Sequence, residues 1–122
     1  MPKPTVTVPA GPPPAELRMT DLVEGSGTEA TPGRTVSVQY VGVSYSNGKQ
    51  FDASWDRGQA FSFPLGGGRV IKGWDQGVAG MKVGGRRELV IPPHLGYGDR
   101  GAGGSIKPGE TLIFVVDLIG VQ

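Results

Sequence analysis

Glycine and proline interrupt this chain so often that no long uninterrupted helix fits between them. There are 22 glycines and 11 prolines in 122 residues, more than a quarter of the chain, a share typical of low-complexity sequence. Leu, Ile, Val and Phe nevertheless make up about a quarter of the residues, above the roughly 20% below which a chain fails to build a core. The glycines therefore read as turn positions in one small folded domain, and many turns in a short chain mean short strands rather than a helical bundle.

The spaces between the turns carry strand patterns. Residues 17–23 alternate, and Glu24-Gly25-Ser26-Gly27 turns the chain. The longest β signal is 34–45, with Val36, Val38 and Tyr40 on one face and Ser37 and Gln39 on the other. Beyond Gly42 the apolar phase passes to Val41, Val43 and Tyr45, which predicts a bend at Gly42. Asn47-Gly48 is a strong hairpin signal and leads to a returning strand at 49–52. Further strands are predicted at 60–65, 86–91 and 111–121, the last nearly continuously apolar and suited to the middle of a sheet. Between 73 and 83, Trp74, Val78 and Met81 fall at i, i+4 and i+7, one buried stripe of a short helix. Residues 96–109 hold six glycines and read as a long exposed loop. The simplest architecture is α+β: a five- to six-stranded antiparallel sheet half-wrapped around one short α-helix.

Residues 1–14 hold six of the prolines and form a proline-rich arm ahead of a domain at 15–122. Such a segment prefers an extended path. It is either a loose tail, an edge strand through Thr5-Val6-Thr7-Val8, or a segment folded back into the domain's own pocket.

Composition removes most chemistry. The net charge of +1 provides no field for a phosphate backbone, so no nucleic-acid partner is expected. With no Cys and a single His, His94, no disulfide, thiolate nucleophile, metal site or cofactor is expected. No G-x-S-x-G elbow occurs, and Gly66-Gly67-Gly68-Arg69 lacks the ending of a phosphate-binding loop. Asp52 and Asp56 are a candidate carboxylate pair, but Arg57 beside them favours a charge-compensated loop. The amino terminus has no signal-like apolar stretch and nothing approaches a membrane span, so a cytoplasmic monomer without membrane partners is expected.

What remains is nine aromatic residues, six of which, Tyr40, Phe51, Phe61, Trp74, Tyr97 and Phe114, stand on or beside the ends of predicted elements. Their order is distinctive. Val38-Gln39-Tyr40-Val41-Gly42, Phe51-Asp52-Ala53-Ser54, Phe61-Ser62-Phe63-Pro64-Leu65-Gly66, Val70-Ile71-Lys72-Gly73-Trp74-Asp75-Gln76-Gly77-Val78, Leu95-Gly96-Tyr97-Gly98 and Leu112-Ile113-Phe114 resemble the motif series of the FKBP-type peptidyl-prolyl cis-trans isomerases, the macrolide-binding immunophilins. The resemblance runs in order from Leu17 to Val121.

The resemblance implies an apolar cleft between helix and sheet in which proline-containing polypeptides and macrolide inhibitors bind. Trp74 would be its floor, and Tyr40, Phe61 and Phe114 its walls. Phe51 would stand at the rim, Val70 and Ile71 opposite, and the Tyr97 hydroxyl and the Ile71 backbone N–H would orient the bound chain. Asp52 would be held by Arg57 and the Tyr40 hydroxyl, either as a polar wall of the site or as a purely structural ion pair. Arg57 and Ile106 would add substrate contacts, Ile106 being the main apolar residue of a lean loop. Trp55 is expected on an exposed bulge, where it either widens the peptide contact or covers the end of the sheet. The implied activity is acceleration of X-Pro rotation in protein folding, with a plain proline-binding module as the alternative.

Overall fold

The computed structural model describes residues 2–122. Its centre is a six-stranded sheet in which every pairing is antiparallel. In chain order the elements are β1 (Arg18–Val23), β2 (Thr35–Ser44), β3 (Gln50–Ala53), α1 (Ser54–Arg57), β4 (Phe61–Pro64), α2 (Lys72–Gly77), β5 (Arg86–Ile91) and β6 (Leu112–Val121), with a single 3-10 turn at Pro93–Leu95. The strands run β1-β5-β6-β2-β3 across the sheet, and β4 also pairs with β2. The apolar β6 lies in the middle, as its composition requires. The hairpin at Asn47-Gly48 forms: the Gly48 N–H donates to the Ser44 carbonyl at 2.8 Å, and the Asn47 Oδ1 accepts from the Lys49 N–H at 2.9 Å.

Two cores lie on opposite faces of the sheet. On the front, Val36, Val38 and Tyr40 of β2, Leu89 and Ile91 of β5, and Leu112, Phe114, Val116 and Leu118 of β6 pack against Trp74, Val78 and Met81. The expected stripe is thus buried, each such side chain contributing roughly 1.5–3 kcal/mol. The α-helix itself is shorter than the predicted 73–83. It stops at Gly77, and Val78 and Met81 continue the stripe through a turn that closes at Gly80, where φ is +88°. Arg87 ties this end down by donating from Nη1 to the Gly77 and Ala79 carbonyls at 2.8 and 3.1 Å, a cation at the negative end of a helix.

On the back, Val41, Val43, Tyr45, Ala53, Val90 and Ile113 form a second cluster. The irregularity expected at Gly42 lies on the β3 side, where the register of β2 against β3 shifts between Gly42 and Val43. The pairing of β2 with β6 runs without a break from Val38↔Leu118 to Ser44↔Leu112, so even residues face front and odd residues face back throughout. The apolar phase changes because the back face is covered over only half of β2.

The cover is the arm. Val6 and Val8 pack on the back cluster together with Trp55. The Tyr45 hydroxyl donates toward the carbonyls of Gly11, Pro12 and Pro9 at 3.1, 3.3 and 3.4 Å. Lys3 pairs with Asp56 at 2.7 Å, and the Pro2 carbonyl accepts from Arg86 Nη2 at 2.8 Å. The arm is therefore neither a loose tail nor an edge strand, and it lies on the face opposite the cleft rather than in it. Proline has no backbone N–H to offer a ladder, so side-chain packing and hydrogen bonds to its carbonyls hold the arm instead. A second helix, α1, also replaces the expected bulge: Trp55 is half-buried in it, under the arm, and covers the back of the sheet.

Helix α2 approaches β5 closely because two of its residues, one turn apart, have no side chain. A Cβ on Gly73 would lie 2.6 Å from Ile91 Cγ2, and one on Gly77 would lie 2.7 Å from Leu89 Cδ2. Gly77→Ala gains about 0.5–1 kcal/mol of helix preference but overpacks a filled core at a cost of about 1–3 kcal/mol. The expected result in urea unfolding is a net loss of up to about 2.5 kcal/mol; a gain in stability would contradict this seating of the helix.

Candidate functional site

Where α2 meets the front of β2, β3 and β6, the sheet leaves a cleft of about 420 Å³ lined by Tyr40, Phe51, Asp52, Phe61, Arg69, Val70, Ile71, Trp74, Tyr97 and Phe114. That is a size suited to a small apolar ligand or a side chain with its neighbours. Nine of the ten are residues singled out by the sequence pattern, although they lie on six different segments of the chain.

Trp74 is the hub. It is 4% exposed, and its ring meets Tyr40 at 4.8 Å and 80°, Phe114 at 5.2 Å and 84°, and Phe61 at 6.0 Å and 68°. Edge-to-face pairs of this kind add about 0.5–1.5 kcal/mol each beyond their burial. Phe63, fully buried behind the cleft, stacks on Phe61 at 5.7 Å and supports Trp74 at 5.6 Å. The Trp74 Nε1 is buried without a hydrogen-bond acceptor among the described residues, so the hub is held by packing rather than by polar anchoring.

The opposite wall depends on a missing side chain in β2. A Cβ on Gly42 would fall 2.6 Å from Phe51 Cζ and 2.7 Å from Phe114 Cε1. Glycine there lets Phe51 and Phe114 lie against the strand, edge to face at 5.4 Å and 86°. Phe51 is thereby half-buried, while Phe61, expected as an interior wall, is 37% exposed and forms the open edge.

The polar corner is a closed triangle. Tyr40 Oη donates to Asp52 Oδ2 at 2.5 Å, Arg57 Nη1 donates to Asp52 Oδ1 at 2.5 Å, and Arg57 Nη2 donates to Tyr40 Oη at 2.8 Å. The guanidinium also stands 5.7 Å from the centre of the Tyr40 ring. Partial burial pushes the Asp52 carboxyl upward, but the hydrogen bonds from Tyr40 and Arg57 and the charge of Arg57 prevail and hold it below its ordinary value. Burial, and then the bond to Asp52, raise the Tyr40 hydroxyl. Arg57 is driven further up by its bonds to Asp52 and Tyr40. Across the neutral range the corner is therefore a carboxylate–guanidinium pair with a protonated phenol between them. Tyr40 spends its proton on Asp52 and has none to offer a ligand.

Local chain geometry builds the triangle. Ser54 Oγ, fully buried at the head of α1, accepts from the Tyr40 N–H at 2.7 Å and donates to Gln39 Oε1 at 2.5 Å. It fills the gap along β2 between β4, which pairs as far as Val38, and β3, which pairs from Val41. The single turn of α1 then swings Arg57 back onto Asp52.

Tyr97 stands on the other side, where the N–H groups of Gly96 and Gly98 both donate to the Pro93 carbonyl, at 3.0 and 2.8 Å, and wrap the chain around it. It is 41% exposed. Burial of its hydroxyl, and then the negative Asp52, raise its pKa, so it remains an O–H donor.

Two residues expected to contact substrate are not among those that line the cleft. Ile106 is buried in the front core, locked by reciprocal hydrogen bonds with Ala102 at 2.9 and 3.1 Å; a loop with a single large apolar residue folds it inward. Arg57 is bonded to Asp52 and Tyr40 but is not among the lining residues. Arg69, in contrast, lines the cleft unanticipated, since a lone arginine after three glycines has no distinguishing pattern. Among the described residues no cluster of acidic and His side chains has the form of a metal site.

Comparison with known proteins agrees with this geometry. The family model for FKBP-type peptidyl-prolyl cis-trans isomerases matches residues 26–119. The chain is 65% identical over 120 residues to an FK506-binding protein of Streptomyces anulatus, covering 98% of this chain and 97% of that one. It is 51% identical over 119 residues to a probable FK506-binding protein of Corynebacterium glutamicum, covering 98% of each. The crystal structure of AtFKBP13 superposes with a TM-score of 0.81 at 44% identity, over 90% of this chain and 96% of that one. Ring-lined cleft, sheet order and sequence likeness over nearly the whole length thus converge, and the chain belongs to the FKBP-type peptidyl-prolyl cis-trans isomerases.

Proposed function

We propose that the cleft around Trp74 is where this isomerase turns X-Pro bonds, and that it does so by fit and desolvation without covalent or proton-transfer chemistry. The observation that carries this reading is the cleft's composition: rings on three sides, and a polar corner whose only carboxylate is already committed to Arg57 and Tyr40. Rotation of an X-Pro bond has to overcome amide resonance, a barrier of about 18–20 kcal/mol, and no bond to the substrate is made or broken. The twisted amide has lost conjugation and part of its charge separation. An environment that withholds water from the planar amide therefore favours the twisted one. A thousandfold acceleration needs only about 4 kcal/mol of such preference.

In this reading the prolyl ring rests on Trp74 between Tyr40, Phe61 and Phe114, with the preceding residue toward Phe51. Tyr97 Oη and the Ile71 N–H, at the edge where the chain enters α2, orient the substrate backbone. Asp52 gives one wall a fixed dipole, and Arg57 sets that dipole as a positioning residue. Macrolides of the FK506 type, after which the relatives are named, would compete for the same cleft. We further place the protein in the cytoplasm as a monomer that assists folding of proline-containing chains, with 15–122 as the isomerase unit.

Tyr97→Phe keeps the ring and removes one hydrogen bond, so kcat/KM for a proline tetrapeptide is expected to fall about 2- to 10-fold. Trp74→Leu removes the floor and is expected to cost at least about tenfold, read in enzyme whose circular dichroism confirms folding. Turnover within twofold of the parent in Trp74→Leu would refute the placement of the substrate.

The depressed Asp52 pKa has a stability consequence with a definite sign. A carboxyl held below its unfolded value stabilises the fold above that value and loses the contribution as pH falls through the folded one. The stability difference between the parent and Asp52→Asn in urea unfolding is therefore expected to be full above about pH 5 and to shrink below about pH 4. A difference that is constant down to pH 2 would show that the ion pair does not act this way.

A further inference from the structure

The cleft contains one charge that its own fold does not neutralise. Two of its lining residues have charged side chains, Asp52 and Arg69. Asp52 is compensated by Arg57 at 2.5 Å. Arg69 takes part in none of the ion pairs among the described residues. The carboxylate nearest to it in sequence, Asp75, is occupied: its Oδ1 accepts from the Gly66 N–H at 2.8 Å and its Oδ2 from the Gly68 N–H at 3.0 Å. Those two bonds pin the glycine turn that carries Arg69 and so fix the residue beside the mouth of the cleft. The next charged side chain, Lys72 at the start of α2, is exposed and adds a second positive charge on the same segment.

A bound polypeptide must extend out of the cleft on both sides of its proline, because 420 Å³ holds little more than the prolyl residue and its neighbours. We infer that Arg69 is a specificity-determining residue: it selects X-Pro substrates that carry an acidic side chain within two residues of the proline, and disfavours basic ones. The inference rests on the reading of the Trp74 cleft as the prolyl site. Its physical basis is an exposed, flexible guanidinium facing a chain held at short range, which gives modest attraction that salt screens. Discrimination then arises from two directions at once, attraction of Glu and repulsion of Lys.

The test is a panel of neutral-backbone peptides with Glu, Gln or Lys placed at each of the two positions before and after the proline, assayed for kcat/KM with the full chain at low and at high ionic strength. At the best position Glu is expected to exceed Lys by about 3- to 10-fold at low salt. The ratio should fall toward unity near 1 M salt, where the Debye length is about 3 Å. Arg69→Gln should reduce the ratio and Arg69→Glu should invert it; since the readout is a ratio within each variant, a general change in turnover does not enter. A Glu:Lys ratio within about 1.5-fold at every position in the parent, or an uninverted ratio in Arg69→Glu, would overturn the inference. Failure of the Gln peptides to be turned over at all would instead count against the cleft as the prolyl site.

Discussion

The depth at which α2 sits on the sheet governs the rest of the molecule. Gly73 and Gly77 present bare backbone to Ile91 and Leu89 at distances no Cβ would tolerate, and the helix is carried inward far enough for Trp74 to reach Tyr40 and Phe114 across the front of the sheet. With a side chain at either glycine the helix would ride higher and the rings would separate. The same device appears across the cleft, where Gly42 makes room for Phe51 and Phe114. The cavity is thus shaped by three absent side chains and then lined by large ones, and the sheet's central strands keep those parts in register.

The polar side of the site depends on a different economy. One turn of helix, α1, faces both halves of the molecule. Ser54 fixes it to β2, Arg57 closes the triangle with Asp52 and Tyr40 on the cleft side, and Asp56 takes Lys3 of the arm on the other. Trp55 meanwhile shields the back cluster with Val6 and Val8. The arm and the site therefore meet at the same four residues, although they occupy opposite faces of the sheet. Exposed pairs such as Lys3–Asp56 contribute little individually; the apolar burial beneath them is what holds the arm in place.

Much of this was legible in the residues. Strand alternation, the Asn47-Gly48 turn and the Trp74, Val78, Met81 stripe are local signals; the strands and the turn formed close to where they were read, and the stripe is buried although the helix ends at Gly77. Nine cleft residues were legible through the family resemblance of ordered motifs rather than through periodicity. The remainder depended on what packs on what. The phase change in β2 resembles a bend in a linear pattern, but it is the footprint of an arm that crosses the back of the sheet more than thirty residues away in sequence. The burial of Trp55 and Ile106 was not legible for a related reason: a large apolar residue in a polar, glycine-rich stretch carries no indication of which surface will cover it. Arg69 gave no signal because a single exposed charge acquires meaning only from its uncompensated place beside a cavity.

In the proposed reading, prolyl rotation proceeds in a ring-lined cleft with no proton in flight, the Asp52 carboxylate being committed to Arg57 and Tyr40. The most direct test is the solvent deuterium isotope effect on kcat/KM for a proline peptide, measured between pH 6 and 8. Rotation governed by fit and desolvation predicts a ratio of about 1, independent of pH. A ratio of about 2 or more, or a bell-shaped pH dependence across that range, would mean that a general acid or base takes part and would contradict the account.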